Sequence, residues 1–121
     1  MAISNFKDLK VWQKSIELSF MVYRYTKELP SEELYALSSQ MRRAVVSIPS
    51  NIAEGHQRSS IKEYIHFLLI AKGSLGELET QLILCEGLGY LNKEKVQSAI
   101  DLCDETGRML TTLIRNLKQK L

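Results

Sequence analysis

The chain has 121 residues, of which 45% are hydrophobic and 25% are charged, a composition typical of one soluble globular domain rather than a disordered or fibrous protein. Sixteen lysine and arginine residues against fourteen aspartate and glutamate residues leave a formal charge of +2, too small by itself to indicate a nucleic-acid or membrane partner. Two prolines and six glycines leave little material for the many turns of an all-β fold.

Apolar residues recur at helical spacing in four successive segments, which predicts an all-α, antiparallel up-down-up-down four-helix bundle over residues 1–121. The first helix is predicted at about 8–29 and ends before Pro30. Its core seam is expected at five large side chains: Leu9, Trp12, Ile16, Phe20 and Tyr23. The second helix is predicted at about 31–57, with Ser31 as its cap. We expect Pro49 to kink this helix, and a break there is the alternative.

The third helix is predicted at about 60–88, where Ser60 and Glu63 form a capping box. Its heptad pattern predicts bundle packing through eight residues: Ile61, Leu68, Leu75, Leu82, Tyr64, Ala71, Leu78 and Cys85. Gly73 and Gly76 each cost a helix about 1 kcal/mol relative to alanine, which indicates that another backbone approaches closely. The fourth helix is predicted at about 92–119, capped by Asn92.

The first and third helices carry more apolar side chains than one core seam requires. The predicted second stripes, which we interpret as an oligomer interface, are Val11, Leu18, Val22, Tyr25 and Leu29 on the first helix and Ile65, Leu69 and Ile70 on the third. In an antiparallel square these helices are diagonal, so unlike patches would meet between subunits and close into a cyclic homo-oligomer. Two alternatives remain: the residues thicken the core, or they form a two-fold dimer.

Charge is distributed unevenly between the two ends of the predicted bundle. One end has ten basic and four acidic residues, a net +6, whereas the other has six basic and ten acidic residues, a net −4. We expect the basic end to bind RNA or DNA phosphates through Lys7, Lys10, Lys14, Arg58, Lys62, Arg115, Lys118 and Lys120. The alternative is that these cations only favour solubility and the helix dipoles.

The sequence predicts no enzymatic activity, cofactor or metal site. The single Glu-x-x-His element, Glu63 to His66, lacks the second copy that a di-iron bundle uses. The predicted register separates Cys85 and Cys103 by roughly 12 Å, too far for a disulfide, so we expect two reduced, buried thiols. The chain shows no signal peptide and no membrane span, and we therefore expect a cytoplasmic protein without a membrane partner.

Several short motifs remain that the bundle alone does not require. They are Leu-Lys-Val-Trp-Gln at 9–13, Gln-Met-Arg-Arg-Ala at 40–44, Ser-Ile-Pro-Ser-Asn-Ile-Ala-Glu-Gly at 47–55 and Gly-Ser-Leu-Gly-Glu-Leu-Glu at 73–79. The residues that characterise them are Arg42, Arg43, Pro49, Asn51, Glu54, Gly55, Arg58, Gly73, Ser74 and Glu77. The predicted register brings Glu77 near Arg43, where either an ion pair or two solvated charges are expected.

Over nearly its whole length the chain resembles the small bacterial four-helix-bundle proteins encoded in insertions of 23S ribosomal RNA genes, the intervening-sequence proteins. The resemblance implies a homopentamer. The same family is similar to the accessory variability protein of diversity-generating retroelements, a strongly basic pentamer that contacts a reverse transcriptase and nucleic acid; the near-neutral charge of this chain departs from that relative. Two functions follow as hypotheses: a nucleic-acid-associated accessory protein, or an adaptor that docks a protein such as a polymerase without binding nucleic acid.

Overall fold

The computed structural model describes residues 5–121, and helices account for most of this range. They are α1 (Lys10–Thr26), α2 (Leu37–His56), α3 (Ile61–Gly87) and α4 (Lys93–Lys118), with short 3-10 turns at Phe6–Asp8 and Ser31–Glu33. The range 5–121 contains no strand, and the predicted all-α class is confirmed. Within the same range no helix has the length and apolar character that a membrane crossing requires.

The helices form an antiparallel square. α1 and α3 each pack against both α2 and α4, and they lie diagonally opposite one another. Ser19 of α1 lies beside Val45 of α2, whereas Thr26, farther along α1, meets the earlier Arg42. Contact positions therefore run in opposite directions along the two helices, as the predicted up-down-up-down bundle requires.

Side-chain caps fix the starts of α3 and α4 as predicted. Ser60 Oγ accepts a hydrogen bond from the backbone N–H of Glu63 at 3.0 Å, and Asn92 Oδ1 accepts one from Lys95 at 2.8 Å. The prediction that Ser31 caps α2 is wrong. Ser31 begins a 3-10 turn, and α2 starts six residues later, where the N–H of Leu37 donates to Glu33 Oε1 at 3.3 Å.

α2 continues through Pro49 without a break. Proline has no backbone N–H, so the carbonyl of Val45, four residues earlier, lacks its usual helical donor. The hydroxyl of Ser19 on α1 lies 3.4 Å from that carbonyl and 2.8 Å from the carbonyl of Ser15, so its single proton goes mainly to Ser15 and makes only a weak contact with Val45. A neighbouring helix thus places a weak donor beside the carbonyl that the proline leaves without its helical partner.

We expect Ser19→Ala to lower the free energy of unfolding by about 1 kcal/mol, because the carbonyl of Val45 loses this weak donor. Urea denaturation followed by circular dichroism measures the change. Ser98→Ala is the matched control, as Ser98 is an exposed helical serine on α4 whose side chain makes no hydrogen bond within residues 5–121. Equal stabilities for the two variants would contradict this role of Ser19.

The predicted core seam of α1 is wrong: the stripe on the opposite side of the helix faces the core. Its buried residues are Val11, Ser15, Leu18, Val22 and Thr26, followed by Leu29 beyond the helix end. On the expected seam Leu9 and Trp12 are only partly buried, and Phe20 is 63% exposed. The buried hydroxyls are satisfied by the helix itself: Ser15 donates to the carbonyl of Trp12 and Thr26 to that of Tyr23.

This orientation corrects part of the predicted oligomer interface. Val11, Leu18, Val22 and Leu29 are buried in the core of the chain itself, and Tyr25 is half-buried against it. Buried side chains are unavailable to another subunit, so the α1 stripe does not form the expected outer patch. α1 instead exposes Phe20 and Tyr23.

The heptad on α3 packs into the core as predicted, with Leu68, Leu78 and Leu82 fully buried. Ile65 is also buried, which corrects its expected outward position. Leu69 and Ile70 are exposed as predicted. Farther along, Ile83 and Leu84 also reach the surface, as does Leu88 just beyond the helix end, so α3 carries apolar residues on nearly all sides.

The close helix approach lies at a different glycine from those predicted. Within residues 5–121, a Cβ atom on Gly73 or Gly76 would have no neighbour within 4 Å, so no other helix backbone in this range approaches them. A Cβ on Gly55 would lie 2.9 Å from the Cβ of Phe67 and 3.1 Å from the carbonyl oxygen of Tyr64. Gly55 therefore allows the end of α2 to pack against the start of α3.

Candidate nucleic-acid interface at the basic end

The antiparallel helices bring the predicted basic residues to one end of the bundle, where α1 and α3 begin and α2 and α4 end. All are exposed except Lys14, which is half-buried. The structure brings together at this end Lys7, Lys10, Lys14, Arg58, Lys62, Arg115, Lys118 and Lys120. The polarity expected from the sequence is therefore present in the fold.

Two of these eight cations are neutralised within the chain. Lys14 Nζ lies 3.5 Å from Glu105 and 3.7 Å from Glu17. Arg58 pairs closely with Glu54, lies 3.8 Å from Glu63, and stacks its guanidinium 4.9 Å above the ring of Phe67. Arg58 thus ties the end of α2 to the start of α3, and its charge is less available to an external anion than that of the unpaired lysines.

A cluster of unpaired positive charges lines the groove between α3 and α4 in the part of the chain that the structure describes. A cavity of about 610 Å³ contains Lys72, Arg108 and Arg115, and an adjoining one of about 250 Å³ shares Lys72 and Arg115 and adds Lys118. Thr111 lines both cavities. None of these four cations forms an ion pair with any other residue in the range 5–121. We refer to Lys72, Arg108, Thr111, Arg115 and Lys118 as the basic groove.

Lys72 and Arg108 are among the ten basic residues counted at this end of the bundle, but the sequence did not single them out as site residues. A signal for Arg108 was present, because Arg108, Arg115 and Lys118 are separated by seven and three residues and so share one face of α4. A charge count for each end of the bundle does not distinguish the faces of a single helix, so it did not reveal this one. Lys72 joins the cluster only through the packing of α3 against α4, which the charge count did not resolve.

The far end of the larger cavity is acidic. Glu79 and Asp104 line it, and burial raises the pKa of Glu79, with the neighbouring Asp104 raising it further. The groove therefore runs from a carboxylate pair to four cations. An anion is favoured only at the basic half, where guanidinium, ammonium and hydroxyl groups offer hydrogen-bond donors to phosphate oxygens.

Both cysteines are free and buried, as predicted. Burial, with smaller contributions from nearby acidic groups, raises the pKa of Cys85 to about 11 and that of Cys103 to about 12. Both thiols are therefore protonated and neutral near pH 7, whereas the deprotonated thiolate is the form that reacts. In the part of the chain that the structure describes, no three His, Cys, Asp or Glu side chains are grouped to hold a metal ion.

The motif residues divide into helix-packing residues and a polar set on α2 and α3. Arg42 donates to Thr26 and lies 4.9 Å above the ring of Tyr23, while Pro49 is buried. Of the two alternatives for Arg43 and Glu77, the structure shows two exposed charges without an ion pair between them, although both side chains line one cavity. The remaining polar residues bond within α2 or across to α3: Asn51 to Ser47, and Ser74 to Ser47.

Comparison with known proteins identifies the family. The family model described as 23S rRNA-intervening sequence protein matches residues 7–112. A solved structure from Bacteroides thetaiotaomicron VPI-5482, described as a protein with unknown function from the S23 ribosomal protein family, is 30% identical, with a TM-score of 0.80 over 86% of this chain and 97% of that one. No curated protein matches. The chain therefore belongs to the family of 23S rRNA-intervening sequence proteins.

Proposed function

We propose that this protein is a non-enzymatic accessory protein that assembles into a cyclic homo-oligomer and binds RNA or DNA through its basic end. The observation that carries the proposal is the basic groove, where four cations from two helices line adjoining cavities without an ion pair inside residues 5–121. Unpaired cations on a rigid helical scaffold are suited to contact nucleic-acid phosphates.

The chemistry of the basic groove favours binding without sequence preference. Among the described residues, 5–121, no aromatic side chain lines either cavity, so this part of the chain offers no platform there on which a base can stack. Contacts to phosphate fix the position of a nucleic acid but do not read its bases. We therefore expect similar affinities for unrelated sequences and a strong dependence on salt.

Self-association is the second part of the proposal, and the exposed apolar side of α3 supports it. We call this surface the α3 outer face; it comprises Leu69, Ile70, Gly73, Gly76, Thr80, Ile83, Leu84, Gly87 and Leu88, all exposed. Large apolar patches are uncommon on monomers and often mark contacts between proteins. In a ring, identical basic grooves would repeat from subunit to subunit, and the family resemblance implies five of them.

Filter binding of duplex DNA and single-stranded RNA across a salt series tests the nucleic-acid proposal. We expect retention at about 50 mM salt that declines as salt rises. The triple variant Arg108→Glu, Arg115→Glu and Lys118→Glu should bind at least about tenfold more weakly and show a shallower salt dependence. The matched control reverses three unpaired cations at the opposite end: Arg24→Glu, Lys27→Glu and Lys93→Glu.

The control carries the same change in net charge, so it separates a local site from a general electrostatic effect. Equal loss in both triple variants, or no retention of either nucleic acid by the natural protein, would contradict a nucleic-acid function. Failure to bind nucleic acid with persistence of the oligomer would favour the alternative, a protein-only docking scaffold whose partner binds a surface outside the subunit contacts. In that case a protein partner pulled down from lysate should survive nuclease treatment.

A further inference from the structure

A separate polar cavity of about 310 Å³ lies between α2 and α3, on a different side of α3 from the basic groove. It is lined by Gln40, Arg43, Ala44, Ser47, Glu77 and Gln81. A volume at the lower end of the range for small-molecule sites suits a compact ligand. We call it the α2–α3 cavity.

One wall of the α2–α3 cavity has an unmet hydrogen-bonding requirement. Gln81 is only 8% exposed, and its side-chain oxygen has no hydrogen-bond partner among residues 5–121. A buried polar atom without a partner is costly, and most such atoms in folded proteins are paired. That oxygen has almost no accessible surface, so a donor from outside the chain can reach it only when the Gln81 amide rotates and turns the oxygen toward the cavity.

Two opposite charges in the α2–α3 cavity are also unpaired. Arg43 and Glu77 both line it, yet neither forms an ion pair or a side-chain hydrogen bond with any residue in the range 5–121. Arg43 offers donors to an anion, whereas Glu77 and the oxygen of Gln81 offer acceptors to a cation. The cavity thus presents complementary groups for both ends of a molecule that carries both charges.

The side of the cavity formed by Ser47 is held in place. Ser47 Oγ accepts hydrogen bonds at 2.9 Å from Asn51 Nδ2, on the same helix, and from Ser74 Oγ, on α3. These bonds join the two helices beside the charged groups. Positioning by rigid helices reduces the ordering that binding would otherwise require.

We propose that the α2–α3 cavity binds a small zwitterion, a molecule with one ammonium and one carboxylate group. The ammonium would donate to Glu77 and, once the Gln81 amide has rotated toward the cavity, to its oxygen, and the carboxylate would accept from the guanidinium of Arg43. This site does not depend on the nucleic-acid function, because it shares no residue with the basic groove.

Titration of the 121-residue chain with a series of amino acids tests the proposal by ligand-observed NMR and calorimetry. The distance between the ammonium and the carboxylate increases along the series. The probes are glycine, β-alanine, 4-aminobutyrate and 6-aminohexanoate, with butylamine and butyrate as analogues that carry one charge each. We expect saturable binding of at least one zwitterion, at least about tenfold tighter than either analogue, because each analogue lacks one charge-assisted hydrogen bond.

Variants locate the binding site. Arg43→Met and Glu77→Gln should each weaken zwitterion binding at least about tenfold, whereas the matched controls Arg24→Met and Glu94→Gln should leave it unchanged. Gln81→Leu should also weaken binding while raising the urea midpoint of the free protein, because it removes an unsatisfied buried group. A loss of binding in a more stable protein cannot be attributed to misfolding.

Three results would overturn the proposal. The first is no saturable binding of any of the four zwitterions up to about 10 mM, which corresponds to less than about 3 kcal/mol of binding free energy. The second is equal binding of butylamine or butyrate, which would show that one charge suffices. The third is zwitterion binding that survives both Arg43→Met and Glu77→Gln, which would place the ligand elsewhere on the protein.

Discussion

Gly55→Ala is expected to lower the free energy of unfolding by about 1 to 2 kcal/mol, whereas the same substitution at Gly107 should raise it by about 0.5 to 1 kcal/mol. At position 55 the new methyl group would lie 2.9 Å from the Cβ of Phe67 and 3.1 Å from the backbone oxygen of Tyr64. Neither atom is the end of a flexible side chain, so α2 and α3 would have to separate. That strain exceeds the gain in helix propensity.

Gly107 provides the matched comparison, because it also lies in a helix of the bundle. A Cβ there would meet only the Cδ1 of Leu75, at an ordinary contact distance of 3.7 Å, so the propensity gain of alanine is retained. Urea denaturation of both variants under identical conditions measures the two effects. A stabilising Gly55→Ala, or a Gly107→Ala as destabilising as Gly55→Ala, would show that helix separation does not determine the outcome.

The number of helices and their antiparallel order were predictable because apolar spacing and capping residues report on local structure. Ser60 and Asn92 marked the starts of α3 and α4 correctly, since a cap acts through hydrogen bonds within a few residues. The start of α2 was not predictable in the same way. Ser31 has the right side chain for a cap, but the backbone forms a 3-10 turn there.

The orientation of α1 shows where periodicity becomes insufficient. The helix has two apolar stripes. The sequence predicts that the stripe with the larger side chains, which includes Phe20, faces the core, but Phe20 is exposed. The structure buries the stripe that contains Ser15 and Thr26. Their hydroxyls bond to backbone carbonyls one turn earlier, which lowers the cost of burial. Choosing between the stripes requires the packing surfaces of α2 and α4, which periodicity within α1 does not contain.

The candidate site was predictable as an end of the bundle but not as a groove. The net charge of each end can be counted from the sequence once the antiparallel order of the helices is assumed, and this count identified the basic end. Pairing decides which of the charges remain available. Lys14 and Arg58 have partners within the chain, whereas Lys72 and Arg108 do not. Such partners depend on side-chain positions across two helices, which only the folded structure provides.

The double substitution Leu69→Lys and Ile83→Lys should convert the proposed oligomer into a monomer of about 13.9 kDa. Both side chains are exposed on the α3 outer face, so neither lysine disturbs the core of a single chain. In a subunit contact, each lysine would be buried without a partner, a cost of several kcal/mol per buried charge. Every subunit of a ring would carry both new lysines, so the cost of burying them would arise at each contact between neighbouring subunits.

Light scattering coupled to size-exclusion chromatography at micromolar concentration measures the mass directly, and circular dichroism verifies that the variant remains helical. Tyr35→Lys is the matched control, because Tyr35 is 92% exposed before α2 and lies outside the α3 outer face. A natural chain with the mass of one subunit would refute self-association. An unchanged oligomer in the double variant would move the interface away from α3, toward exposed apolar residues such as Phe20 and Tyr23 on α1.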